Sequence, residues 1–336
     1  MRILAALTFW IWPLLATAQE WEDQQRFEGT EATRTLRVLS STDTSFFAPI
    51  IQRFLREQSG WAIEYFVHST AEIDRRFRGN PTEYDLVISS AMDLQLKLAN
   101  DGFAAQINDI DHPDWAQWRQ SLFAFTTEPA AIVINRAAFA RQDIPQTRQD
   151  LIRALRARPE VFRGRLGTYD VRQSALGYLF ATQDARASET FWRLMEVMGG
   201  LDIRLYCCSG EMIDDLYSGK IAVAYNVLGS YALARRDTHD ALEIILPSDF
   251  PTTMMRTAFV PSGASNAQMG AEFIRFLIAL QSVAAPEDFP LPPLNLEQGS
   301  IAQSTIALEP ALMTYLDRLK RRTFLKEWES AIIQDR

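Results

Sequence analysis

A strand, then a polar loop rich in hydroxyl side chains, then an amphipathic helix: this unit recurs along most of the chain and restricts the folds open to it. Leu36–Leu39 reads as a buried strand, Ser40–Ser45 as a polar loop, and Phe46–Gln58 as an amphipathic helix. Ala62–Val67 is a second strand, and Ser69-Thr70-Ala71-Glu72 has capping-box spacing before a helix. Asp85–Ile88 enters Ser89–Asp93 and the helix Leu94–Asn100 in the same way. Beyond Ala130 the rhythm repeats, with strands at Ala130–Asn135, Leu166–Asp170, Ile221–Tyr225 and Leu242–Leu246. Helices are expected at Leu151–Arg158, Ser174–Ala181, Phe191–Met198 and Ala271–Leu280, and a helical tail at Ala311–Ile333. Strands that alternate with helices predict an α/β protein with mostly parallel sheets covered on both faces. At roughly 150 residues per domain, 336 residues make two such units.

The N-terminus carries an address. Arg2 precedes the apolar run Ile3–Leu15, and Ala16-Thr17-Ala18 forms an A-x-A cleavage site, so residues 1–18 read as a cleaved signal peptide. The run is shorter than the ~20 apolar residues that span a bilayer, and Gln19 replaces the cysteine that lipidation needs. Residues 19–33 are polar without periodicity and predict a disordered leader. The mature chain is therefore expected to be exported, with no membrane insertion after cleavage. With 34 bases against 42 acids, the net charge of −8 argues against nucleic acid as a partner.

An oxidising compartment permits a disulfide between the only two cysteines, Cys207 and Cys208. Their Cα atoms, ~3.8 Å apart, lie below the usual disulfide range, so two small buried residues at a strand end are the alternative. His68, His112 and His239 lack ligand spacing, so neither metal nor cofactor is expected. The motifs G-x-S-x-G, H-E-x-x-H, G-x-x-x-x-G-K-[ST] and G-x-G-x-x-G do not occur, and no catalytic residue is assigned.

Five hydroxyl-rich loops each follow a strand and open a helix: Ser40–Ser45, Ser69-Thr70, Ser89-Ser90, Thr168–Ser174 and Asn226–Tyr231. Ligands of open α/β sheets bind beyond the carboxyl ends of the strands, where free helix N–H groups suit an anion. Each loop alone is more readily a set of helix caps than a binding loop; five loops from both halves point to a shared cleft. The hydroxyls and backbone N–H groups of Ser41, Thr42, Ser89, Ser90, Thr168, Ser174 and Ser230 are the candidates to hold the anion. Arg172 or Arg256 would neutralise it, and Tyr169, Asn226 and Tyr231 would shape the pocket. His68 ends a strand, where ligand contact competes with a capping or surface role.

These residues carry a resemblance. Tyr84-Asp85-Leu86-Val87-Ile88-Ser89-Ser90-Ala91-Met92-Asp93, Thr127-Glu128-Pro129-Ala130, Gly167-Thr168-Tyr169-Asp170 with Gly177-Tyr178-Leu179-Phe180, and above all Ala224-Tyr225-Asn226-Val227-Leu228-Gly229-Ser230-Tyr231 resemble periplasmic substrate-binding proteins of ABC transporters. The likeness is to the type II, ferric-iron-like branch and covers most of residues 35–330. It implies two lobes joined by two hinge crossovers near Phe125–Ile132 and Leu246–Met255. Lobe 1 would be 34–127 plus 256–336 with its C-terminal helical tail, and lobe 2 would be 128–255. Iron-binding members carry two consecutive tyrosines; here Tyr225-Asn226 and Ser230-Tyr231 stand instead. The resemblance therefore favours the organic-anion members, which bind sugar phosphates, phosphoglycerate or carboxylates, with ferric iron as the alternative ligand. It implies a monomer delivering a small anionic solute to an ABC permease, or signalling to a sensor kinase ectodomain.

Overall fold

Among the described residues thirteen strands lie in two sheets; apolar runs set the central strands, and the intervening amphipathic segments form the helices that cover them. The computed structural model describes residues 21–140, 143–234, 241–280, 289–294 and 305–334; the expected signal peptide 1–18 lies outside them. The strands are β1 Asp23–Glu28, β2 Arg34–Ser40, β3 Trp61–Val67, β4 Leu86–Ser89, β5 Gln117–Trp118, β6 Leu122–Ala124, β7 Glu128–Asn135, β8 Leu166–Tyr169, β9 Arg204–Tyr206, β10 Val223–Leu228, β11 Leu242–Ile245, β12 Thr253–Met254 and β13 Thr257–Phe259. The helices are α1 Thr44–Glu57, α2 Thr70–Gly79, α3 Met92–Asn100, α4 Arg148–Ala157, α5 Pro159–Phe162, α6 Ala175–Ala187, α7 Thr190–Gly199, α8 Ser209–Tyr217, α9 Gly229–Ala234 and α10 Ala267–Leu280, followed by a C-terminal helix Arg318–Ile332.

The first sheet runs β1-β3-β2-β4-β13-β6-β5 and the second β11-β7-β10-β8-β9, with β12 beside β7. Each has a parallel centre: β2 pairs parallel with β3 and β4, and β8 with β9 and β10. There the strands need crossover helices, and the apolar run of β4 is buried throughout because both faces are covered. The margins are antiparallel, since β7 and β13 enter directly from the other lobe without a crossover helix. The chain passes from β6 in the first sheet to β7 in the second, and returns from β12 to β13.

Two regions depart from expectation. Residues 21–33 are not a disordered leader where described: β1 pairs antiparallel with β3 from Asp23–Val67 to Glu28–Ala62. Only Phe27 of that strand is buried, so an edge strand of this kind shows no alternation to read. The C-terminal tail does not belong to the first lobe alone. Phe324, Trp328, Ala331 and Ile332 form a stripe at helical spacing that is buried in the second core, against Leu194, Met195 and Met198 of α7. The preceding 3-10 segment Pro310–Leu316 stays with the first core through Leu312, so the tail straddles both lobes.

Candidate functional site

The carboxyl ends of β2, β3 and β4 face those of β8, β9 and β10 across a cavity of about 350 Å³. Ser41, Asp43, His68, Ser69, Thr70, Ser90 and Arg256 line it from the first lobe and its crossing. Tyr169, Ser174, Leu176, the Cys207–Cys208 pair, Ser209, Gly210, Leu228 and Tyr231 line it from the second. Glu22, Glu211 and Asp214 complete the wall. At this size, near the lower end of the usual ~300–1,000 Å³ for ligand sites, it suits one small solute.

Helix starts converge on the cavity because each parallel strand hands directly to a helix. Ser69 and Ser174 cap α2 and α6, their hydroxyls accepting from the N–H of Glu72 and Gly177. The starts of α1 and α8, at Asp43 and Cys208, have no side-chain cap, leaving backbone donors for another acceptor, whereas at α3 the Ala91 N–H is taken by Ser89 and the Asp93 carboxylate accepts from the Leu94 N–H. Gly177 is required where it stands, since a Cβ there would collide with Tyr169. Cys207 and Cys208 are joined as a disulfide, which decides the alternative the sequence left open.

The lobes touch around the cavity. Thr70 Oγ1 accepts from the N–H groups of Ala175 and Leu176 at 3.1 and 3.2 Å. Tyr231 donates to Asp43 Oδ1 at 3.2 Å, and its ring lies 4.8 Å from that of Phe46. Arg256, 0% exposed, forks onto Glu128 through Nε at 2.9 Å and Nη2 at 3.0 Å, and donates from Nη1 to Thr42. Burial opposes its charge, but Glu128 and neighbouring groups raise its pKa above the ordinary arginine value.

Of the twelve residues expected from sequence, Ser41, Ser90, Tyr169, Ser174, Tyr231 and Arg256 line the cavity. The structure does not bring the other six to it. Thr42 accepts from Arg256 and Ser89 from the N–H of Ala91. Thr168 donates to the Tyr225 carbonyl, and Ser230 to Glu128. Asn226 sits within β10, where a loop was expected, with φ 61° at a register shift; its amide donates to Asp184. Arg172 is tied to Asp170 through two bonds of 2.8 and 2.7 Å and reaches Glu329.

Sequence reasoning also missed residues that do line the cavity. Asp43 and Ser209 precede or open helices, a signal that could have found them. Glu22 sits beside a polar edge strand and gave none.

Ferric iron would ask for phenolates. Burial pushes the Tyr169 and Tyr231 hydroxyls well above their ordinary value, and Tyr169 bonds to Ser209. Among the described residues no group of three or more His, Cys, Asp or Glu side chains is placed to hold a metal ion.

Neither a protein-family model nor a curated protein sequence matches the chain. Solved structures do. The substrate-binding protein of an ABC transporter from Agrobacterium tumefaciens is 28% identical, with 92% of this chain and 98% of that one covered and a TM-score of 0.84. The periplasmic binding protein AfuA from Actinobacillus pleuropneumoniae, with exogenous fructose-6-phosphate bound, is 13% identical, with 90% and 100% covered and a TM-score of 0.73. Iron-bound HitA from Pseudomonas aeruginosa is 12% identical, with 88% and 99% covered and a TM-score of 0.65. These are binding proteins, not enzymes, of the branch that the sequence resembles, and the two-lobed fold is theirs.

Proposed function

We propose that this chain is the periplasmic solute-binding subunit of an ABC importer, and that it captures a small organic solute through an anionic group. The observation that carries this reading is the cavity between the lobes, with hydroxyls from both sides and the uncapped starts of α1 from one and α8 from the other. Those N–H groups and the positive ends of the helices favour an anion. The neutralising charge is not a free arginine, because Arg256 is committed to Glu128. Ser90, Ser174, Ser209 and backbone donors therefore hold the anionic group, and Arg256 contributes its field from behind.

Capture proceeds by hinge closure about the two crossings, as periplasmic binders commonly do. The bonds from Ala175 and Leu176 to Thr70, and from Tyr231 to Asp43, form as the lobes meet. Among the described residues no helix is long and apolar enough to cross a membrane. The same closure could report to a sensor kinase ectodomain; permease or kinase genes beside this one would separate the two outlets.

A thermal-shift screen tests the reading, with sugar phosphates, phosphoglycerates, di- and tricarboxylates and ferric citrate as probes. A ligand at 100 times its dissociation constant stabilises by ~2.7 kcal/mol. A shift from an organic anion is expected. A shift from ferric citrate, with none from citrate or the other organic anions, overturns it.

A further inference from the structure

We infer that the captured solute also carries a positively charged, hydrogen-donating group, an ammonium or amidinium, which sits at the end of the cavity walled by His68 and Glu22. The inference rests on the reading of the cavity as a solute site and names the class of solute.

His68 is 4% exposed and lines the cavity, yet its Nε2 has no hydrogen-bond partner. A buried polar nitrogen left unmet costs ~1–3 kcal/mol, so a ligand group that meets it is favoured by that amount. Burial, and then the nearby Arg76, hold the imidazole down to about 4, so it is neutral at physiological pH. Either nitrogen of the neutral ring can carry the proton; with it on Nδ1, Nε2 is the acceptor that the proposed cation uses. Trp21 packs against the ring at 4.8 Å and fixes that face of the cavity.

The groups beside His68 ask for the same partner. Glu22 accepts from the Ser69 N–H and makes no ion pair with a described residue. Burial raises its pKa, and the negative charges of Asp43 and Glu72 raise it further. Glu211 and Asp214 add two more carboxylates to the lining, whereas Arg256, which also lines it, is bound to Glu128. At the His68 end Glu22, Asp43 and Glu72 stand against the single cation Arg76, so an anion there meets a net negative field. A cation there satisfies His68 and relieves the crowding at Glu22, while the anionic group of the same molecule takes the helix starts. The solute is thus a small zwitterion.

Calorimetric titration with two matched pairs tests this: 2-aminoethyl phosphate against 2-hydroxyethyl phosphate, and 4-aminobutanoate against 4-hydroxybutanoate. At least one amino compound is expected to bind ten-fold or more tightly than its hydroxyl partner. Glu22→Gln should cut that ratio at least three-fold, as should His68→Phe, which keeps the bulk and removes the acceptor. Hydroxyl compounds binding as tightly as their amino partners overturn the inference and leave the solute-binding reading standing. Silence from all four removes small zwitterions as the class; a shift from another anion in the broader screen then preserves the solute-binding reading alone.

Discussion

Two buried arginines, each locked onto a buried carboxylate, stand in different places, and the difference separates what holds one lobe together from what joins two. Arg148 opens α4 and donates to Asp184 at 3.1 Å, to Asp249 at 3.0 Å and to the Tyr225 hydroxyl at 2.7 Å. Asp184 in turn accepts from Tyr225, Asn226 and Thr252. Asp184, Tyr225 and Asn226 belong to the second lobe, Asp249 and Thr252 to the segment that leads into β12, and none of these partners lies on the first lobe. Glu128 is just as saturated, accepting two bonds from Arg256 and one each from Thr126 and Ser230. Yet Thr126, Glu128 and Arg256 lie at the two crossings, Ser230 on the second lobe, and Thr42, which Arg256 also reaches, on the first. The same chemistry is a lobe's internal brace in one case and the rivet between hinge segments in the other.

The largest effect should come from the brace. Arg148→Met strands a carboxylate that is 0% exposed in the side chain, at a cost of about 3–5 kcal/mol. Urea denaturation should show that loss, with solute affinity unchanged in whatever fraction remains folded. Arg256→Met should cost about 3 kcal/mol by the same mechanism, but here affinity should fall as well, because the side chain walls the cavity. The double variant Arg256→Met/Glu128→Leu should recover much of the stability without recovering binding. If Arg256→Met leaves affinity intact, or Arg148→Met lowers it equally, the distinction between brace and rivet is gone.

Neither pair could be read from the sequence, although the fold around them could. The strand–loop–helix rhythm located β2, β3 and β4 with α1, α2 and α3, because central strands and their covering helices are patterned by burial on both sides. β1 escaped because one buried residue, Phe27, makes no pattern. The tail's apolar stripe announced a helix, but a stripe does not say which lobe it fits. At the site, hydroxyls at helix starts were visible as types. Their partners were not: Arg256 and Glu128 are 128 positions apart, and Ser230 and Glu128 are 102 apart. Which hydroxyl faces the cavity and which is consumed by a buried hub is a property of that pairing. The acids Glu22 and Asp43 were passed over because carboxylates in a polar stretch read as solvated.

A smaller effect isolates closure from folding. Thr70→Val removes the acceptor for two N–H groups of the other lobe while keeping the side-chain shape. In the open form those donors meet water, so the loss falls on the closed form, by about 1–1.5 kcal/mol. Solute affinity should drop roughly five- to ten-fold at that energy, with little change in the unfolding midpoint without solute. Small-angle scattering should show a larger open fraction. A fall in unfolding midpoint as large as that of Arg256→Met would place Thr70 with the rivet rather than with the closing surface.

The smallest effect concerns His68 and carries a sign. The free imidazole value is 6.5, and in the folded chain burial and Arg76 hold it near 4. The unfolded chain therefore takes up its proton first as pH falls. Stability from keeping this ring neutral is complete above about 6.5 and is lost progressively toward pH 4. The ring borders an open cavity, so screening reduces the effect to the order of 1 kcal/mol between pH 7 and 5. Glu22, with its pKa raised, contributes in the opposite direction, and Glu72 and Arg76 are also nearby, so the wild-type curve alone does not isolate the histidine. The difference between wild type and His68→Gln does, since the acids and Arg76 are common to both. Urea midpoints at pH 7 and pH 5 should show wild type losing more than the variant. Equal losses would mean that the imidazole is protonated without penalty, and His68 would then be a surface group rather than the neutral acceptor on which a cationic solute depends.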